Sequence, residues 1–255
     1  MKKKVNNILK YLEEEFEISR IKDMSLNGLQ VGEADKQVKK IGLAVDASLS
    51  TFKKAKKQGC DLLITHHGLF WGKEQAITGT HYKRIKYLIE NDLPLIALHL
   101  PLDLHAKYGN NIELARLLGL KKVKKFGAYH GATIGFSGEF TKVITRKKFI
   151  SLCENKLGTK CTSLDFGSDK IKKVGIVSGG GSSALMEAKE KGMDVLLTGD
   201  GPHQNFHDAL DSEINIVYGS HYYTETVGIK ALGKALKKKF NLTVAFLDVP
   251  ARVRI

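Results

Sequence analysis

Apolar positions along this chain follow two periods. In residues 2–16, Val5, Ile8, Leu9, Leu12 and Phe16 recur at helical spacing and predict an amphipathic helix. Residues 80–91, 110–118 and 146–157 read as helices in the same way. Between them lie short apolar runs bounded by breakers, the pattern of buried strands. Ile41–Asp46 is one, followed by Ser48 and Ser50 as N-caps for a helix to about Gln58 that Gly59 terminates. Asn27–Gly32 reads as a glycine-punctuated loop or short strand, and residues 128–144 as strands and tight turns.

Three of the strand-like runs end in metal-ligand residue types. Asp61–Thr65 runs into His66-His67-Gly68, Leu95–Leu98 into His99-Leu100-Pro101-Leu102-Asp103, and Ile214–Tyr218 into Gly219-Ser220-His221 with Glu225 beyond. Open α/β sheets place their chemistry just outside the carboxyl ends of such strands.

The chain also repeats itself. Lys39–Thr65 lies on Lys172–Thr198 without a gap, and ten of the 27 positions are identical, among them Gly42/Gly175, Gly59/Gly192, Asp61/Asp194 and Thr65/Thr198. Each copy reads strand, helix, glycine, strand, which builds a parallel pair. The repeat extends to His99-x-x-x-Asp103 and His221-x-x-x-Glu225, while His66-His67 becomes Gly199-Asp200. The expected fold is α/β: two similar lobes of mixed or parallel sheet flanked by helices, a duplicated unit with a shared cleft. The first lobe is drawn as residues 1–125 plus 213–255 and the second as 126–212, with the basic run Lys121–Lys125 marking the change of composition.

Bulk properties narrow the classes. Of 255 residues, 42% are hydrophobic, ordinary for a globular protein, and no run approaches the roughly 20 apolar residues of a membrane helix. The Lys-rich, then Glu-rich start has no apolar signal core, so a cytoplasmic location and no membrane partner are expected. Three cysteines without Cys-x-x-Cys spacing argue against a disulfide framework or a zinc-thiolate site. The net charge of +14 comes from lysines spread along helix-like segments; it suits a solvated surface or attraction to a phosphate-bearing partner, without a nucleic-acid motif.

Imidazole and carboxylate are ordinary ligands for Zn²⁺, Fe²⁺ and Mn²⁺. His66, His67, Asp103, His221 and Glu225, with His99 close by, suffice for two divalent ions if one carboxylate bridges them. Ser178–Ser183, glycine-rich between a strand and a helix, lacks the lysine and spacing of a P-loop and reads as a tight turn allowing close packing. No Gly-x-Ser-x-Gly elbow is present.

Asn27-Gly28-Leu29-Gln30-Val31-Gly32, Thr65-His66-His67-Gly68, His99–Asp103 with Gly109-Asn110-Asn111, and Gly219–Glu225 together resemble the GTP cyclohydrolase I type 2 family, also called Ngg-interacting-factor-three-like. The resemblance spans nearly the whole chain. It implies a two-lobed α/β protein with a dinuclear metal site between the lobes, commonly a ring-shaped homohexamer. It places the ligands on His66, His67, Asp103, His221 and Glu225, with Glu225 bridging and His99 in or beside the shell. The chain lacks the long insertion that some members carry between the halves. The family name implies opening of the guanine ring of GTP with release of formate. Some archaeal relatives are linked instead to iron-guanylylpyridinol cofactor assembly, and others to DNA binding. The leading expectation is therefore a metal-dependent hydrolase acting on a purine nucleotide. Metal-activated water would attack an electrophilic carbon such as C8, and His99 would move protons. The alternatives are a non-catalytic metal-delivery protein and a ring that binds single-stranded nucleic acid.

Overall fold

The computed structural model describes residues 2–251. The chain divides into two compact units, the first made of residues up to His105 together with Ile229–Ala251, the second of Ala106–Gly228.

The first unit is built on a five-stranded sheet in the order Thr243–Phe246, Lys40–Asp46, Leu62–His67, Leu95–Ala97, Gly28–Val31. The first four strands run parallel and Gly28–Val31 is antiparallel to its neighbour. Lys40–Asp46 and Leu62–His67 are almost wholly buried, which explains their continuous apolar runs. The helix Leu49–Lys57 begins on Ser48, whose hydroxyl accepts from the Thr51 amide, and Gly59 leaves it with a positive φ of 67°. Phe52, Leu63, Leu88, Leu93, Leu95 and Leu247 pack together beneath. The amphipathic helix starts at Val5 and runs to Phe16 with Val5, Ile8, Leu12 and Phe16 buried.

The second unit carries a six-stranded sheet in the order Lys121–Tyr129, Ala132–Thr145, Lys170–Ile176, Val195–Thr198, Asn215–Tyr218, Thr162–Asp165. The two central pairings, either side of Val195–Thr198, are parallel; the other three are antiparallel. The helices Asn110–Leu118 and Arg146–Leu157 contribute Leu114, Leu118, Phe149 and Cys153 to a core shared with Ile171, Val195 and Val217. All three cysteines are free, and Cys60 and Cys153 serve as core residues.

The sequence repeat is reproduced in the pairing. Gly42 faces Leu63 in one unit, and Gly175 faces Leu196, the repeat-related pair, in the other. Asp61 Oδ2 accepts from the backbone amides of Lys39 and Lys40 at 2.8 and 2.9 Å; Asp194 Oδ2 accepts from those of Lys172 and Lys173 at 2.8 and 2.7 Å. Each of these strand–helix–strand segments is thus closed by the same carboxylate clamp.

Five expectations need correction. The unit boundaries fall at His105 and Gly228, not at 125 and 212. Lys121–Lys125, taken to mark the change between lobes, lies inside the second unit as part of an outer edge strand, where charge blocks further pairing. Asn215–Tyr218, assigned by sequence to the first lobe, is hydrogen-bonded on both sides within the second unit's sheet. The first histidine strand does not stop at Thr65 but continues through His67. Finally, sheet register aligns Leu95 with Ile216 and Ala97 with Tyr218, so His221 and Glu225 lie one residue later than His99 and Asp103. The repeat holds for the strand–helix–strand core and slips by one residue beyond it.

Candidate metal centre

In the first unit, His66 and His67 end the strand Leu62–His67 and His99 precedes the short helix Leu100–Asp103. The rings of His66 and His67 are 4.7 Å apart, those of His66 and His99 5.1 Å, and those of His67 and His99 5.7 Å. One ligand atom from each of the three lies within 4.8 Å of the others. Asp103, buried, brings Oδ2 to 3.5 Å from His66 Nε2.

Each imidazole is held at Nδ1. His66 Nδ1 lies 3.0 Å from the Leu98 carbonyl, His67 Nδ1 2.8 Å from Asp46 Oδ1, and His99 Nδ1 2.9 Å from Asp23 Oδ1. An Nδ1–H donated to oxygen fixes the tautomer in which Nε2 carries the lone pair, and it orients the ring for a cation. Asp23 is itself anchored by donation from the Ser25 and Leu100 amides and the Asn27 side chain. Burial works to raise the Asp23 carboxyl, but donation from His99, the charge of that ring, and the bonds from Asn27 and Ser25 hold it at about 2.

In the second unit, His221 opens the helix His221–Phe240 and Glu225 lies one turn on. His221 Nδ1 meets Asp200 Oδ2 at 2.9 Å and its Nε2 lies 3.2 Å from Oε1 of buried Glu225. Burial pulls the His221 pKa down, yet Asp200 and Glu225 together raise it to about 11. Without a metal this ring is an imidazolium between two carboxylates. The loop before it is glycine for a reason: a Cβ on Gly179 would stand 2.1 Å from Glu225 Oε1 and 3.0 Å from His221 Nε2. The loop is tied by the Ser178 amide to Asn111 Oδ1 at 2.6 Å and by the Gly179 amide to Thr224 Oγ1 at 3.0 Å. It is the tight turn that the sequence suggested.

The proton on His221 has a measurable consequence. A cation taking Nε2 must displace it, so affinity should rise with pH, by about tenfold per unit below the pKa. Loading zinc into the metal-free protein at pH 7 in weak buffer should release a proton, read by an indicator dye. The imidazolium's contribution to the metal-free fold is full below the ordinary value of 6.5 and is lost as pH rises through about 11. Metal loading independent of pH between 6 and 8 would contradict this account.

The structure therefore gathers His66, His67, His99 and Asp103 in one unit and His221 and Glu225 in the other. Sequence reasoning missed the orienting carboxylates Asp23, Asp46 and Asp200. Asp46 had a signal: it ends the strand beside the histidine strand and pairs in register with His67. His105 lies in the loop after the short helix, packed on Phe16 with Nε2 3.1 Å from the Glu15 carbonyl. The donors, nitrogen and carboxylate oxygen with rings fixed through Nδ1, fit Zn²⁺, Fe²⁺ or Mn²⁺. No helix among the described residues is long and apolar enough to cross a membrane.

The sequence and fold recur in known proteins. The chain is 39% identical over 245 residues to the "GTP cyclohydrolase 1 type 2 homolog" of Deinococcus radiodurans, covering 96% of this chain and 93% of that one. It superposes on a solved structure described as protein ybgI, of unknown function, with a TM-score of 0.91 at 33% identity, covering 98% and 99% of the two chains. Reduced HcgD from Methanocaldococcus jannaschii matches with a TM-score of 0.87 at 32% identity, covering 98% and 99%. Residues 3–252 match the profile of Duf34/NIF3 (NGG1p interacting factor 3), and the chain belongs to that family.

Proposed function

We propose that this protein is a metal-dependent hydrolase that acts on a purine nucleotide, opening the guanine ring of GTP. The observation that supports the reading most is the set of imidazoles held at Nδ1, three of them by carboxylates, which leaves each Nε2 as the atom to meet a cation. The relative's name, GTP cyclohydrolase 1 type 2 homolog, supports the substrate class.

In the proposal His66, His67, Asp103, His221 and Glu225 would hold a pair of divalent ions, Glu225 being the carboxylate expected to serve both. Such ions, when bound, acidify water to near neutrality and polarise the bond under attack. The chain's own residues do the rest. Asp103 and Glu225 supply negative charge against the cations. His99 receives and returns a proton at Nε2, and Asp23 holds its Nδ1–H and stabilises the imidazolium that forms.

A second reading, a metal-delivery protein, rests on the position of His99. Its ligand atom is within 4.8 Å of those of His66 and His67, close enough to complete a ligand set rather than to transfer protons.

One comparison separates the two. Asp23→Asn keeps the shape and removes the negative charge that faces His99 Nδ1. For a hydrolase, formate release from GTP should fall about 10- to 100-fold in kcat with KM and metal content unchanged. Metal content falling in step would make His99 a ligand and favour delivery. Fully loaded protein that releases no formate from any purine nucleotide would overturn the hydrolase reading.

A further inference from the structure

The first unit contains a cavity of about 890 Å³ walled by Asp23–Leu26 and Phe70–Gln75. The two wall segments are paired: the Leu26 amide donates to the Phe70 carbonyl at 3.0 Å, the Gly72 amide to the Met24 carbonyl at 2.6 Å, and Ser25 bridges to Trp71. The volume is within the usual range of small-molecule sites, roughly 300–1,000 Å³.

Two of its walls also belong to the histidine cluster. Asp23 holds His99 Nδ1, and the Trp71 ring meets the His99 ring nearly at right angles, with centroids 4.9 Å apart. The indole N–H of Trp71 is already used, donating to the Gly68 carbonyl at 3.0 Å. What Trp71 offers a ligand is therefore its π surface. Met24 and Leu26 line the same space and are 60% and 54% exposed, apolar side chains that the fold leaves uncovered. Lys73 and Glu74, both exposed, supply a cation and a hydrogen-bond acceptor.

We propose that this cavity receives the heteroaromatic ring of the substrate, with Trp71 as its stacking surface, Lys73 as the contact for phosphate and Glu74 as the acceptor for ring N–H groups. The proposal rests on the purine-nucleotide reading and deepens it by placing the ring beside His99. An apolar wall with one flat aromatic suits a planar ring, and stacking on an aromatic side chain is tolerant of the base. The acceptor at Glu74 favours rings that present adjacent N–H donors, as guanine does.

Trp71 is the chain's sole tryptophan, so tryptophan fluorescence, excited selectively over the tyrosines, reports on this site alone. Zinc-loaded and chelator-stripped protein would each be titrated with guanosine, GMP and ribose 5-phosphate. Saturable quenching is expected with guanosine and GMP and none with ribose 5-phosphate. By calorimetry, Trp71→Ala should weaken GMP binding about tenfold while Trp71→Phe stays within about threefold, since phenylalanine retains a π face. Lys73→Ala should weaken GMP and spare guanosine. Circular dichroism and metal content check that each variant is folded and loaded. Quenching by ribose 5-phosphate alone, no quenching by any of the three, or wild-type GMP affinity in Trp71→Ala would overturn the assignment. Formate release from GTP without ring-dependent quenching sinks the cavity and leaves the hydrolase. Ring-dependent quenching without turnover sinks the hydrolase and leaves the cavity.

Discussion

Glu225→Gln protein should hold at most one metal ion per chain, or none, while its circular dichroism matches wild type. Glutamine keeps the shape of a buried side chain but removes its charge and an anionic donor. In two-metal sites the ions stand about 3.5–4 Å apart, and their repulsion is offset chiefly by anionic ligands. One effect works the other way. Losing Glu225 loosens the proton on His221, which makes Nε2 easier to metallate. Asp200 still grips that ring, so the gain is partial and the lost carboxylate dominates. His67→Ala is the comparison, because a terminal ligand serves one ion and its loss should weaken a single site. Elemental analysis of the two variants after identical loading decides the matter. Undiminished metal content with wild-type affinity in Glu225→Gln would remove Glu225 as the shared ligand and make Asp103 the candidate.

Gly179→Ala should disable the same centre from the backbone side. At a φ of 60°, alanine pays left-handed strain of roughly 1–2 kcal/mol. Its Cβ would also fall 2.1 Å from Glu225 Oε1, and that buried carboxylate has little room to retreat. Overpacking of this kind adds about 1–3 kcal/mol. Gly192→Ala separates the two contributions: its φ is 64° and nothing lies within 4 Å of the added carbon. Urea denaturation should show a loss of about 1 kcal/mol for Gly192→Ala, with metal affinity intact, and a loss of roughly 2–4 kcal/mol for Gly179→Ala, with metal affinity down more than tenfold. Equal behaviour of the two variants would mean that the closeness of loop and carboxylate is unimportant.

Much of this architecture could be read from the residues alone because it is local. The strand runs and the Ser48 cap depend on neighbours in sequence, and the helix Asn110–Leu118 ends where Gly119 turns left-handed. The repeat was visible because each copy reuses the same turn glycine and the same clamping aspartate. The donors His66, His67, His99 and Asp103 stood out as strand-end residues, and the structure places them together. What escaped is long-range. Asp23 is 76 residues from the ring it holds and sits in a stretch without periodicity. The pairing of Asn215–Tyr218 with strands on either side depends on sheet order, which a run of apolar residues does not encode. The strand end at Thr65 was placed too early because polarity was read as exposure, whereas His66 is fully buried.

The paired clamps at Asp61 and Asp194 tie neighbouring strands at one offset, and that offset is a quantised variable. A pleated strand restores its inward face only after two residues, a slide of roughly 6.6 Å. No side-chain adjustment absorbs such a step. An imidazole carried that far leaves its ligand partners altogether, and one carried half as far faces the wrong way. The geometry at the end of each strand is therefore not graded with the strength of its clamp. A weakened clamp should therefore yield a mixture of molecules, some with the donors fully assembled and some without them. Loss of function then appears as a falling fraction of competent protein, each competent molecule being as good as before.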